Sequence, residues 1–296
     1  MHYFVTLFDS AYLTRGIVLA ESLAKHTAVP FILYVLPMDA NCREAMLRRK
    51  LPQVNVLDLS IFEKAMSLDR VRRERTYQEY CWTCASQLTE FIMCSPGTSN
   101  PEDVTYLDAD MMFFADAGII FKEIGTRSIG VIPHRFPAEQ KHQEANGRFN
   151  VSWVTFKNDP VGRECLSTWA WQCREWCRYG HEPGNRFADQ GYLDAWPDKY
   201  SPDELCVIEH IGAGAAPWNI GQYRVQGGVA VSLDDLPLIF YHYHGFKEID
   251  NGFELTRYRI SESVILHIYR PYIEAYYAAK GKSLNEIRTS LLQRLS

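Results

Sequence analysis

Two carboxylates one residue apart, Asp108 and Asp110, follow directly on an apolar run, Val104-Thr105-Tyr106-Leu107, and lead into a second, Met111-Met112-Phe113-Phe114. An Asp-x-Asp triplet by itself recurs by chance, and as a solvated turn it would only cap a helix. Its setting points to chemistry. A strand that ends in two carboxylates places hard oxygen ligands where parallel sheets present their ligands, and burying two like charges calls for a compensating cation. Two carboxylates completed by substrate oxygens suit Mg²⁺ or Mn²⁺, and an imidazole ligand tilts the choice towards Mn²⁺. Histidine is available late in the chain, where Phe240-Tyr241-His242-Tyr243-His244-Gly245 puts His242 and His244 on one face of an expected strand. Read alone, such a pair is more often a hydrogen-bonded part of the core.

The elements that must position these side chains are legible as changes of hydrophobic period. Residues 4–8, 31–36 and 54–59 read as strands, and 16–26 and 42–50 as amphipathic helices, a βαβαβ succession. That alternation predicts a mostly parallel sheet with right-handed crossovers and a ligand site beyond the strand ends. A helix is expected at 77–94, a turn cluster at 95–101, strands at 104–107, 128–132, 150–156 and 238–244, and helices at 160–179 and 188–195. The tail, 261–280 and 283–295, reads as helices with Tyr and Leu on one side. The expected organisation is an α/β domain over residues 1–250 and a helical extension over 251–296 packed on it.

Composition narrows the function classes. The chain has 296 residues, 47% hydrophobic and 23% charged, the proportions of a folded globular protein. Lys plus Arg number 31 against 36 Asp plus Glu, a net charge of −5, so there is no overall positive field for a nucleic-acid partner. The start, Met1-His2-Tyr3-Phe4-Val5-Thr6-Leu7-Phe8-Asp9, lacks the basic region and long apolar run of a signal peptide. No run of about 18 apolar residues suggests a transmembrane helix. A cytoplasmic protein is expected, with peripheral membrane contact left open. Among the eight cysteines, Cys81/Cys84 and Cys173/Cys177 have a spacing that four thiolates could use around zinc, against the plainer reading as packed, reduced core thiols.

Five segments in order carry a family resemblance. They are Phe4-Val5-Thr6-Leu7-Phe8-Asp9-Ser10-Ala11-Tyr12 with Gly16 and Ser22-Leu23; Tyr106-Leu107-Asp108-Ala109-Asp110; Phe149-Asn150-Val151-Ser152-Trp153; Asp189-Gln190-Gly191; and His242-Tyr243-His244-Gly245. Together they resemble the GT-A-fold glycosyltransferases, most of all the retaining, metal-dependent glycogenin and bacterial galactosyltransferase type, over about residues 3–247. Glu79-Tyr80-Cys81-Trp82-Thr83-Cys84 and Gly212-Ala213-Gly214-Ala215-Ala216-Pro217-Trp218-Asn219 resemble a bacterial group of such transferases whose implied setting is surface polysaccharide synthesis.

The resemblance implies a Rossmann-like nucleotide-diphospho-sugar transferase fold, a mixed, mostly parallel sheet flanked by helices with C-terminal helices. It implies transfer of a sugar from a nucleotide donor, UDP-linked by preference, to a glycan or lipid-linked glycan. Asp108, Asp110 and His242, with His244, would hold Mn²⁺ or Mg²⁺. Tyr12 would stack on the base, with polar contacts from Thr6 and Asp9, and Ala109 would contact the donor beside the carboxylates. Asn150, Asp189 and Gln190 would face the donor sugar, Asp189 or Gln190 lying below the anomeric carbon as weak nucleophile or electrostatic stabiliser.

Departures shift some roles. The family's lysine after the late histidine motif is displaced: Lys247 comes one position early. Gln78 stands where another lysine is usual, so Arg75 or Lys247 is expected on the diphosphate. Ser152 replaces a common Gly beside Asn150. His210 precedes Pro217-Trp218 at the family's distance, but it lies 21 residues after Asp189 whereas His242 lies 53, and the family's spacing of roughly fifty favours His242. Two other classes compete. A sugar-1-phosphate nucleotidyltransferase would open with a Gly-rich basic loop, which Phe8-Asp9-Ser10-Ala11-Tyr12 is not. A non-catalytic nucleotide- or glycan-binding module fits the missing lysine and would show no turnover.

Overall fold

A computed structural model describes residues 1–95, 101–182, 186–250 and 252–282. The first strand, β1 (His2–Phe8), sends Tyr3, Val5 and Leu7 into one hydrophobic core and Phe4 and Phe8 into another on the opposite face, as the two-residue period requires. Then come α1 (Leu13–His26), β2 (Phe31–Pro37), α2 (Ala40–Arg49) and β3 (Val54–Val56). Gly16 allows α1 to lie against its strand, because a Cβ there would sit 2.3 Å from the Phe8 ring. β3 is shorter than the hydrophobic pattern suggests. Asp58 accepts hydrogen bonds from Ser60 N and Ile61 N and starts α3 (Leu59–Ala65) where the strand was expected to continue.

After α4 (Asp69–Glu74), α5 (Tyr77–Cys94) begins at a reciprocal Thr76–Glu79 cap. Next come β4 (Asp103–Leu107), β5 (Met111–Phe113), α6 (Gly118–Ile124), β6 (Ile129–Pro133), β7 (Phe149–Lys157) and α7 (Pro160–Glu175). The expected helix to residue 179 stops at Glu175, where the Arg75 guanidinium donates to the carbonyls of Arg174 and Glu175 at 3.4 and 3.1 Å. The expected helix at 188–195 is a 3₁₀ turn, Gly191–Ala195, running into α8 (Trp196–Lys199).

With β8 (Leu205–Val207), the central sheet has seven strands in the order β3-β2-β1-β4-β7-β6-β8. It is parallel except where β7 runs antiparallel to β4 and β6. A small ribbon of β9 (Val225–Gln226), β10 (Ser232–Leu233) and β11 (Leu236–Pro237) precedes β12 (Phe240–His242), which pairs antiparallel with β5. A hairpin, β13 (Lys247–Ile249) and β14 (Gly252–Glu254), leads to α9 (Glu262–Val264), a π-helical segment Ile265–Tyr269 and α10 (Arg270–Ala279), which packs on α1. The helix expected at 283–295 lies outside the described residues. No described helix is long and apolar enough to cross a membrane.

Candidate active site

A cleft of about 700 Å³ opens at the ends of β1 and β4, the start of β7 and the loops that follow β6 and α7. This is the position at which parallel sheets bind ligands.

Its charged centre follows from strand pairing. β4 ends at Leu107, so Asp108, Ala109 and Asp110 occupy the gap before β5, and the β5–β12 register sets His242 opposite Met111, next to Asp110. The Tyr243 N–H donates to the Asp110 carbonyl at 2.8 Å and locks that register. His242 Nε2 consequently lies 3.1 Å from Asp110 and 3.8 Å from Asp108. One ligand atom from each of the three residues falls within 4.8 Å of the others.

Burial lifts the Asp108 carboxyl to about 6 against the pull of His242, and the charge of Asp110 adds to the rise. Burial acts on Asp110 too, but the imidazole beside it outweighs that and holds the carboxyl at about 2. His242 is raised above its ordinary value, because Asp110 stabilises the proton that burial alone would expel. Asp110 and His242 thus compensate each other, and Asp108 is the charge left for a cation. The donor set, two carboxylate oxygens and one imidazole nitrogen converging on a point, fits a divalent ion of the Mg²⁺ or Mn²⁺ kind.

Towards the other end the same cleft holds Asn150, Asp189 and Gln190. Asn150 is fixed at both ends of its amide: Oδ1 accepts from Ser152 N at 2.8 Å and Nδ2 lies 2.9 Å from His134 Nε2. Burial, with the charge of Asp108, lifts Asp189 to about 8, and burial drives His134 to about 3. The Asp189 carbonyl accepts from Trp169 Nε1 at 2.8 Å, which fixes the backbone, and Gln190 Nε2 donates to the Asn146 carbonyl at 2.6 Å.

At the β1 end, Asp9 Oδ1 accepts from the N–H groups of Ala11 and Tyr12, and Oδ2 accepts from the Tyr77 hydroxyl at 3.1 Å. Tyr12 lines the cleft with 43% of its surface exposed and Arg15 4.3 Å from its ring.

Three expected site residues fall outside the cleft, and a fourth lines it outside the metal-capable cluster. Thr6 is fully buried within β1, one residue short of the cleft, which begins at Leu7 and Phe8. Arg75 lies outside the cleft, its guanidinium bonded to the end of α7. Lys247 is exposed on the β13–β14 hairpin and does not line the cleft. His244 lines the rim but lies past the end of β12, with its ring 5.8 Å from that of His242, outside the three-residue cluster. His210 also lies away from the cleft, its Nδ1 accepting from Gly212 N at 3.1 Å.

The cysteines form no metal-capable group among the described residues. Cys81 faces the cleft, Cys84, Cys173 and Cys177 are buried, and the Asp-Asp-His cluster is the one metal-capable group among the described residues.

Several lining residues escaped the sequence reading. Tyr77, Gln78, Cys81 and Trp82 share one face of α5, a helical spacing that could have revealed them. Tyr179 stacks on Trp82 at 6.3 Å and touches Phe187 at 5.7 Å; its N–H is held by Glu79 at 2.9 Å. Trp218 stands edge-on to His242 at 5.5 Å and to His244 at 5.7 Å, and donates to the His134 carbonyl. Arg257 and Tyr258 complete the rim.

The fold is that of the GT-A glycosyltransferases. An active-site mutant of galactosyltransferase LgtC matches over 97% of this chain and 99% of its own, at 15% identity and a TM-score of 0.58. Mouse xyloside xylosyltransferase 1 matches over 83% of this chain and 98% of its own, at 15% identity and a TM-score of 0.51. The chain belongs to the same family as two Bacillus subtilis (strain 168) proteins named as uncharacterized, YfnD and YfnF. YfnD is 31% identical over 277 residues, covering 92% of this chain and 87% of YfnD, and YfnF is 31% identical over 272 residues, covering 86% of each. No family model matches the chain.

Proposed function

We propose that the protein is a metal-dependent glycosyltransferase that moves a sugar, of the hexosyl or hexosaminyl class, from a nucleotide diphosphate donor to a glycan or lipid-linked glycan acceptor. The donor is UDP-linked, the ion Mn²⁺ or Mg²⁺, and the anomeric configuration is retained. The observation that carries the reading is the convergence of Asp108, Asp110 and His242 at the strand ends of a GT-A sheet, inside a cleft large enough for a nucleotide-sugar.

Asp108, Asp110 and His242 would hold the ion, which when bound supplies Lewis-acid stabilisation of charge on a departing diphosphate. The chain's other residues orient and exclude. Tyr12 offers its π-face to the base next to Asp9. Asn150 presents an amide whose rotamer is already set by Ser152 and His134, and so meets a sugar hydroxyl with little ordering entropy left to lose. Asp189 and Gln190 lie on the sugar side, where either could support a same-face attack. The aromatic wall of Trp82, Tyr179 and Phe187 displaces water from that side.

Thermal shift and turnover with a panel of nucleotide-sugars, with and without Mn²⁺, test the reading. A ligand at a hundred times its Kd should stabilise the fold by about 2.7 kcal/mol. UDP-sugars are expected to raise Tm and to be consumed only with the ion present. Stabilisation by no nucleotide-sugar in either condition would overturn the reading, and binding without turnover would point to a non-catalytic module.

A further inference from the structure

The cleft is short of positive charge. Asp9, Asp108 and Asp110 line it, and Arg257 is the one Lys or Arg among its lining residues. With His242 binding as a neutral imidazole, Asp108 and Asp110 would together cancel a divalent ion, leaving a diphosphate of charge about −2 to −3 with no further partner. Three other arginines are committed to backbone carbonyls. Arg15 donates to the carbonyls of Ala11 and Phe246, Arg135 donates to those of Ala213 and Ile208, and Arg75 binds the end of α7.

Arg257 differs from these. It is exposed on the segment after β14, no carboxylate among the described residues lies within ion-pair distance, and its contact is the face of Tyr258, 5.6 Å from the guanidinium carbon. Tyr258 in turn ties that segment across the cleft mouth, its hydroxyl donating to Gln143 Oε1 at 3.2 Å, with both residues lining the cleft. Arg257 also lies within electrostatic reach of His244, whose ring neighbours that of His242.

We propose that Arg257 binds the diphosphate of the donor, a cation supplied from outside the late histidine motif by the segment that Tyr258 pins over the cleft. The inference rests on the donor reading above and adds to it a specific residue. A guanidinium suits the role because its planar fork matches phosphate oxygens two at a time and stays charged at every working pH. Holding it on an aromatic face at the rim keeps it ordered without spending it on a carboxylate.

Calorimetric titration of UDP, uridine and inorganic pyrophosphate, each with Mn²⁺, into wild type, Arg257→Gln and Arg257→Lys tests this. Hydrogen bonds to charged groups are each worth enough that Arg257→Gln should weaken UDP and pyrophosphate about tenfold or more while leaving uridine within about twofold. Arg257→Lys should recover part of the loss, and higher ionic strength should weaken wild type more than Arg257→Gln. Unchanged UDP and pyrophosphate affinity in Arg257→Gln, with wild type binding both, would overturn the assignment alone. Wild type failing to bind Mn²⁺–UDP would overturn the donor reading and this inference with it. Equal loss for uridine would mean that the change disturbs the cleft as a whole, which also overturns a diphosphate role.

Discussion

The two ends of the cleft bury ionisable groups in opposite ways. At the Asp108–Asp110–His242 end the groups sit close enough to compensate one another: Asp110 is held at about 2, and His242, against the pull of burial, is raised above its ordinary value. Asp189 and His134, outside that cluster, are each pushed towards the neutral form, Asp189 to about 8 and His134 to about 3. Attraction between opposite charges about 4 Å apart is on the order of 4 kcal/mol at an effective dielectric of 20, enough to offset much of the cost of keeping both ionised. Without such a partner, burial wins and the proton distribution changes. One end therefore suits the proposed cation and diphosphate, which bring charge. The other offers neutral donors and acceptors, which suit the hydroxyl groups of the proposed sugar.

The largest effect should come from breaking the charged end. Asp110→Ala is expected to lower kcat by more than about a hundredfold, roughly 2.7 kcal/mol in the barrier, with a folded far-UV spectrum. Asp110→Asn, which keeps the volume, should do the same; if both retain more than a tenth of wild-type kcat, the cluster is not the catalytic centre. Next in size is the imidazole. Losing a mere outer partner of a metal ligand commonly costs about 10–100-fold in affinity, so His242→Ala should weaken Mn²⁺ binding at least tenfold. His244→Ala, changing a residue outside the three-residue cluster, should stay within about threefold, as read by Mn²⁺ spin-resonance titration. The opposite ranking would move the ligand to the rim.

The same contrast explains what could be read in the sequence. The βαβαβ opening was legible because each element has one dominant period, and Asp108 and Asp110 were legible because a strand end converts a tripeptide into a position. His242 was legible as part of a late apolar strand, yet its pairing with Asp110 depends on the β5–β12 register, which joins residues about 130 positions apart. Thr6 falls one residue short of the cleft, because the sequence does not mark how far along β1 the sheet's edge lies. Arg75 and Lys247 were misplaced because a charge in a sequence does not announce its partner, and the carbonyls at the end of α7 claim the first. The neutral end was the least legible. Trp82, Tyr179 and Phe187 come from separate segments, and no local period links them. Only the tertiary fold assembles that wall.

The smallest effect, and the one that most sharpens the comparison, concerns Asp189. A carboxyl held near 8 in the folded protein but near 3.8 when unfolded binds more protons in the folded state across that whole interval. Stability from this group is therefore fully present below the unfolded value and falls as pH rises from about 4 towards 8. Asp189→Asn removes the titration while keeping size and shape. The variant should melt at least about 2 °C above wild type at pH 8.5, where the difference amounts to about 1 kcal/mol or more, and the gap should close as pH falls towards 4. Saturating Mn²⁺ should narrow the gap at high pH, because a cation beside Asp108 weakens the repulsion that helps raise Asp189. Melting curves from pH 4 to 8.5 decide it: a gap independent of pH would mean that Asp189 is ionised within the fold, and the cleft would then carry charge at both ends.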